Sequence, residues 1–166
     1  MERPLAACAL VSLSLLPLGC FNLAAAAEAE CFPGVTVGED SDDEDVAEAL
    51  ALVTCLDGDF IVDNTLVERL SLPDLTDITG SFGVALNVSL TAIELPALER
   101  VGGVVDLSGN LVLEEVSLPS LRYVGGGLRM VSNPRLPPCE AEAVAAGIEQ
   151  LDGPVVLEGN TGEGCP

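Results

Sequence analysis

The stretch Leu95-Pro96-Ala97-Leu98-Glu99-Arg100-Val101-Gly102-Gly103-Val104-Val105-Asp106-Leu107-Ser108-Gly109-Asn110-Leu111-Val112-Leu113-Glu114-Glu115-Val116-Ser117-Leu118-Pro119 begins and ends on the same Leu-Pro pair, 23 residues apart. Its neighbours keep that interval. Asn64, Asn87, Asn110 and Asn133 are spaced by 23, as are Leu72-Pro73, Leu95-Pro96 and Leu118-Pro119. Leu75, Leu98 and Leu121, then Ile78, Val101 and Val124, then Gly80, Gly103 and Gly126, and finally Leu90, Leu113 and Leu136 share the register. So many position classes in one phase mean units of a single kind that bury a common core by stacking.

Within a unit the apolar residues alternate. Phe82/Val84, Val105/Leu107 and Leu128/Met130 lie two apart, as inward residues of a short strand do. Leu70, Ile93 and Val116, each two residues before a Leu-Pro, form a second inward set. The prolines oppose a helix in the connecting arm, because proline removes a donor and clashes inside helices. Gly102-Gly103 and Gly125-Gly126 mark tight corners. The expected fold is therefore mainly β, a β-solenoid with 23-residue coils and short N- and C-terminal capping helices.

An inward asparagine offers donors and an acceptor to backbone groups where the chain turns. Asn64, Asn87, Asn110 and Asn133, with Asn160 27 residues further on, are expected to form an axial ladder with a structural role. Asn87-Val88-Ser89 matches a glycosylation sequon, but its ladder position directs Asn87 inward. Phe60 and Val62 are displaced by one residue from the later register, an irregularity expected of a first coil.

The pattern read from Leu95 to Pro119 resembles the receptor L-domain family, whose members are leucine-rich-repeat-like right-handed β-helices in receptor ectodomains, fungal wall proteins and bacterial surface lipoproteins. The resemblance covers roughly residues 56–165. It implies the right-handed sense of the coil and does not imply an activity, since fold does not fix function. Leu90 and Leu113 follow their asparagines by three positions, where ordinary leucine-rich repeats use two.

Both ends read as caps. At residues 31–55, Val35-Thr36-Val37 reads as a strand, and Val46, Leu50 and Val53 read as an amphipathic helix ending at Cys55. The repeats then occupy 56–138. At 139–166, Glu140–Ile148 reads as a helix with glutamates in its first turn, followed by a last strand at Val155-Val156-Leu157.

Residues 1–30 read as a signal peptide and linker. Leu5–Leu16 is an apolar run too short to span a membrane. Leu16-Pro17-Leu18-Gly19-Cys20 resembles a bacterial lipobox, in which Cys20 would be acylated. The other exit is signal-peptidase cleavage in Ala24-Ala25-Ala26-Ala27-Glu28-Ala29. Export is expected either way, to the cell envelope or outer surface, lipid-anchored or secreted. Of the cysteines left, Cys31, Cys55, Cys139 and Cys165 allow three connectivities. Their positions at the two ends favour Cys31–Cys55 and Cys139–Cys165, in an oxidising compartment.

Charge narrows the function. There are 27 acidic and 6 basic residues, all six arginine, and no histidine or tryptophan, for a net charge of -21. A nucleic-acid partner would need a basic footprint, which is lacking. Histidine-based acid–base catalysis and histidine-ligated zinc are excluded. An anionic membrane surface repels such a chain, leaving a lipid anchor as the route to a membrane. The run Glu39-Asp40-Ser41-Asp42-Asp43-Glu44-Asp45 lacks EF-hand spacing and reads as a solvated loop at a helix N-terminus. Acid–arginine pairs one coil apart are expected at Asp77/Arg100, Glu99/Arg122 and Asp106/Arg129.

These readings lead to a non-enzymatic recognition or adhesion module for a protein or glycan, with no cofactor or metal. The candidate face, beside the Asn ladder, carries Ser81, Gly83, Ala85, Asp106, Ser108, Arg129 and Val131. Two alternatives are a passive envelope component and a calcium-dependent polysaccharide-active enzyme using Asp57, Asp59 and Asp63.

Overall fold

In a computed structural model, which describes residues 31–38, 41–50 and 52–165, the chain is mainly β with parallel strands. Cys20, the lipobox-like segment, the alanine run, Glu39 and Asp40 lie outside the described residues. The N-terminal elements are β1 (Phe32–Val37), α1 (Asp43–Leu50), β2 (Cys55–Asp63) and β3 (Arg69–Ser71). One repeat then gives β4 (Asp77–Ile78), β5 (Phe82–Ala85) and β6 (Ala92–Glu94), and the next gives β7 (Arg100–Val101), β8 (Val105–Asp106) and β9 (Glu115–Ser117). The chain ends with β10 (Tyr123–Val124), β11 (Leu128–Arg129), α2 (Pro138–Gly147), β12 (Gln150–Leu151) and β13 (Val155–Val156).

Each sequence repeat lays its strands on those of the one before. The long strand β2 pairs through Cys55 and Leu56 with β4, and through Phe60–Asp63 with β5. From there the order runs β4-β7-β10-β12 on one side and β5-β8-β11-β13 on the other, while β3, β6 and β9 make a separate sheet. The registers are Asp77↔Arg100↔Tyr123↔Gln150 and Phe82↔Val105↔Leu128↔Val155. The periodicity of the sequence is thus a pairing register, and each unit forms one tier of a stack.

The alternating apolar residues fill the space between the sheets. Phe60, Val62, Phe82, Val84, Val105, Leu107, Leu128 and Met130 are fully buried, as are Leu90, Leu113 and Leu136. Phe60 and Phe82 stack with ring centroids 5.6 Å apart. Phe60, Phe82, Val105 and Leu128 are all buried and in register, so the core continues from tier to tier. Glycine is needed where tiers pass close together. A Cβ on Gly102 would lie 2.1 Å from the Thr79 carbonyl oxygen.

The caps differ from expectation in their bounds. α1 ends at Leu50 rather than Cys55; Val53 is buried outside it, and Cys55 opens β2. The disulfide explains the difference, because pairing β1 with β2 requires Cys55 to be extended beside Cys31. The strand expected at Val35–Val37 begins at Phe32, and α2 begins at Pro138, so Cys139 lies inside the helix. Proline suits the first helical turn, where its missing N–H has no partner to lose. At the far end β13 comprises Val155–Val156, one residue short of the expected strand.

Both expected disulfides are present, Cys31–Cys55 and Cys139–Cys165, closing separations of 24 and 26 residues. Loops of that size restrict the unfolded chain by about 3 kcal/mol each. Replacing either pair by serine should lower the unfolding free energy by about that amount in a denaturant titration, with the folded spectrum retained.

Candidate functional site

The site is built around the corner where β5, β8, β11 and β13 end. Three residues after each inward strand residue comes a buried polar side chain: Thr65 after Val62, Asn87 after Val84, Asn110 after Leu107, Asn133 after Met130 and Asn160 after Leu157. The Nδ2 groups of Asn87, Asn110, Asn133 and Asn160 donate to the carbonyls of Val62, Val84, Leu107 and Met130, each at 2.8 Å. Asn87 Oδ1 accepts from the Thr65 N–H, Asn110 Oδ1 from the Asn87 N–H, and Asn133 Oδ1 from the Asn110 N–H. Each amide therefore satisfies the strand end of the tier before it. No buried side-chain nitrogen or oxygen lacks a partner among the described residues.

Asn64 is not part of this ladder. It is exposed, and Thr65 takes the buried position, with its hydroxyl donating to Asn87 Oδ1 at 2.8 Å. The cause is the shorter first interval: Phe60 pairs with Phe82 and Val62 with Val84, 22 residues apart. The three-residue offset from strand to ladder, kept in every other tier, would have placed Thr65 from the sequence. Asn64 belongs instead to a left-handed column before the ladder: Asn64 (φ 54), Leu86 (φ 58), Gly109 (φ 72), Ser132 (φ 61) and Gly159 (φ 71). Glycine at Gly109 and Gly159 meets that requirement without strain. Leu86 does not, and a leucine held there costs about 1–2 kcal/mol.

The candidate face lies beside this corner. Ser81, Gly83 and Ala85 come from one tier, Asp106 and Ser108 from the next, and Arg129 and Val131 from the third. Gly83, Asp106, Arg129 and Val156 adjoin in register. Arg129 is exposed and the others are half-buried. Asp106 occupies the centre, accepting from the Ser108 hydroxyl and lying 3.6 Å from Arg129 Nε. Ile61 sits above Gly83, where an added Cβ would come within 2.9 Å of its Cδ1. At about 4.8 Å per tier the three tiers hold these side chains within roughly 10 Å along the axis.

The carboxylates of the calcium-enzyme alternative are engaged with the following tier. Asp57 accepts from the Thr79 hydroxyl at 3.0 Å, Asp59 from the Ser81 N–H at 2.7 Å and Asp63 from the Ala85 N–H at 2.9 Å. Asp59 and Asp63 thereby border the face through the backbone of its own residues, a role their sequence spacing did not disclose. In the acidic run, Asp42 accepts from the Glu44 N–H at the start of α1, and Asp43 accepts from the N–H groups of Glu68 and Arg69.

Two of the three expected acid–arginine pairs form, Asp77 with Arg100 at 3.7 Å and Asp106 with Arg129 at 3.6 Å. The third does not. Arg122 turns to Glu149 at 3.3 Å and to the Pro119 carbonyl at 3.0 Å, leaving Glu99 to supply its backbone carbonyl to the Arg122 N–H. Arg69 pairs with Glu94, and Arg135 with Glu114 at 3.2 Å. These are exposed pairs of about 0–1 kcal/mol. Arg100 also lies over the Tyr123 ring, 4.7 Å from its centroid.

In comparisons with protein-family models, characterised proteins and solved structures, none matches this chain.

Proposed function

We propose that the stacked tiers form a right-handed β-solenoid of the receptor L-domain type, serving as an exported, non-enzymatic recognition or adhesion module. The supporting observation is the face itself. Parallel strands place the bare backbone of Gly83 and the methyl of Ala85, with the Ser108 hydroxyl just beyond β8, around a single Asp106–Arg129 pair, and acids border it. Such a surface admits close approach of an extended protein segment or glycan, with hydroxyls and one ion pair for orientation. The two disulfides are compatible with an exported protein.

Photo-cross-linking groups at Ser81, Ser108 and Val131 of the full chain, expressed in its host, should trap a single partner at the cell surface. The same group at Thr91, which precedes β6 in the separate sheet, should not. Equal yields from both positions, or no adduct from either, would refute recognition through this face. An Ala85→Arg variant, which places a long side chain on the face, should suppress the adduct by about ten-fold, the scale of one lost central contact.

A further inference from the structure

The ladder corner carries a row of outward apolar residues that the recognition face does not use. The residue following each ladder position is Leu66, Val88, Leu111 and Pro134 in successive tiers. Leu66, Val88 and Leu111 are 55%, 56% and 53% exposed, and Leu86 beside them is 64% exposed. Leu86 extends onto the next tier, its Cδ2 lying 3.1 Å from where a Gly109 Cβ would be. Scattered single exposed leucines need no explanation, but four apolar side chains in a row on one edge form a patch.

Leu86 adds an independent observation. It holds a left-handed backbone, φ 58, in a column otherwise filled by Asn64, Gly109, Ser132 and Gly159, and its exposure recovers little by burial. Strain retained at an exposed apolar residue is a signature of a binding site rather than of packing.

From this corner we infer that the ridge Leu66-Leu86-Val88-Leu111 docks an amphipathic helix of a partner protein, basic at the end that meets Leu66. The tier spacing of about 4.8 Å is close to the 5.4 Å helical turn, so apolar residues at i, i+3 or i+4, and i+7 fall on successive tiers. An extended segment would repeat its same-side residues at about 6.6 Å and lose register within two tiers. The charges set the polarity. Leu66 opens onto a hollow lined by Asp42, Asp43, Glu44 and Glu68, all acidic, with no cation among the described residues that line it. At the other end Pro134 borders a hollow whose lining includes Arg135, paired with Glu114, beside Glu163. A second copy of this chain is disfavoured as occupant by its net charge of -21. The ridge spans two tier intervals, about 10 Å, which calls for a helix of about eight residues.

The probe is a fluorescent leucine/lysine peptide with its leucines at helical spacing, tested beside a peptide of identical composition with the leucines scrambled. Fluorescence anisotropy with the full chain should show the amphipathic peptide binding about ten-fold more tightly than the scrambled one. The preference should vanish in a Leu66→Ser/Leu111→Ser variant that retains the wild-type melting temperature. Leu86→Gly should raise the melting temperature by about 3 °C while weakening the peptide several-fold, a combination that a structural role for Leu86 would not give. Equal binding of the two peptides, or unchanged binding to the double-serine variant, would show attraction by charge alone and overturn the proposal. A dimer in light scattering that the double-serine variant dissolves would assign the ridge to a second copy and overturn it as well. The ridge variants leave Ser81, Ser108 and Val131 intact, so this result is separate from that of the recognition face.

Discussion

Asn110→Ala should destabilise the protein by about 3–5 kcal/mol, whereas Asn64→Ala should cost about 1 kcal/mol or less. Both residues occupy the same place in the 23-residue count. Asn110 is fully buried; its Oδ1 accepts from the N–H and Nδ2 of Asn87, and its Nδ2 donates to the Val84 carbonyl. Alanine would strand those groups away from water, and each unsatisfied buried group costs about 1–3 kcal/mol. Asn64 is exposed, and its loss removes only the ease with which asparagine adopts a left-handed backbone. Urea unfolding of the two variants measures the difference directly. Equal costs would mean that the ladder does not hold the corner.

Phe82→Ala should cost about 3–5 kcal/mol, enough to bring a domain of ordinary stability close to unfolding. The ring is fully buried and stacked on Phe60, 5.6 Å between centroids, at the join between the first two tiers. Its removal leaves a void that side chains confined to register columns cannot easily fill, and it also removes the aromatic pair. Phe32→Ala, at an edge strand where the ring is 42% exposed, should change stability by less than about 1 kcal/mol. Thermal unfolding of both variants tests this. A mild effect at Phe82 would mean that the first tier packs independently of those below it.

The ladder, the core columns and the disulfide pairs were legible because each repeats in the sequence or sits at an end. Leu72, Leu95 and Leu118 announce their place by recurrence, and four cysteines split into two near pairs leave one simple pairing. The acid–arginine pairs were less secure. A guanidinium on an exposed, flexible stem reaches either neighbouring tier, so Arg122 takes Glu149 instead of Glu99. The end of α1 was misplaced for a related reason, since an apolar spacing that fits a helix continues through Val53 while strand pairing claims Cys55.

By itself, then, the sequence determined the tier length, the inward residues and the cysteine partners, because one burial pattern repeated at a fixed interval admits little else. Only the tertiary structure decided that Arg122 takes Glu149, that Asp59 and Asp63 border the face, and that Leu66, Leu86, Val88 and Leu111 share one edge. Those facts depend on how one tier sits on the next. Hydrogen bonds between tiers join residues 21 to 30 positions apart, and a one-residue change in that offset redirects a side chain from the core to solvent.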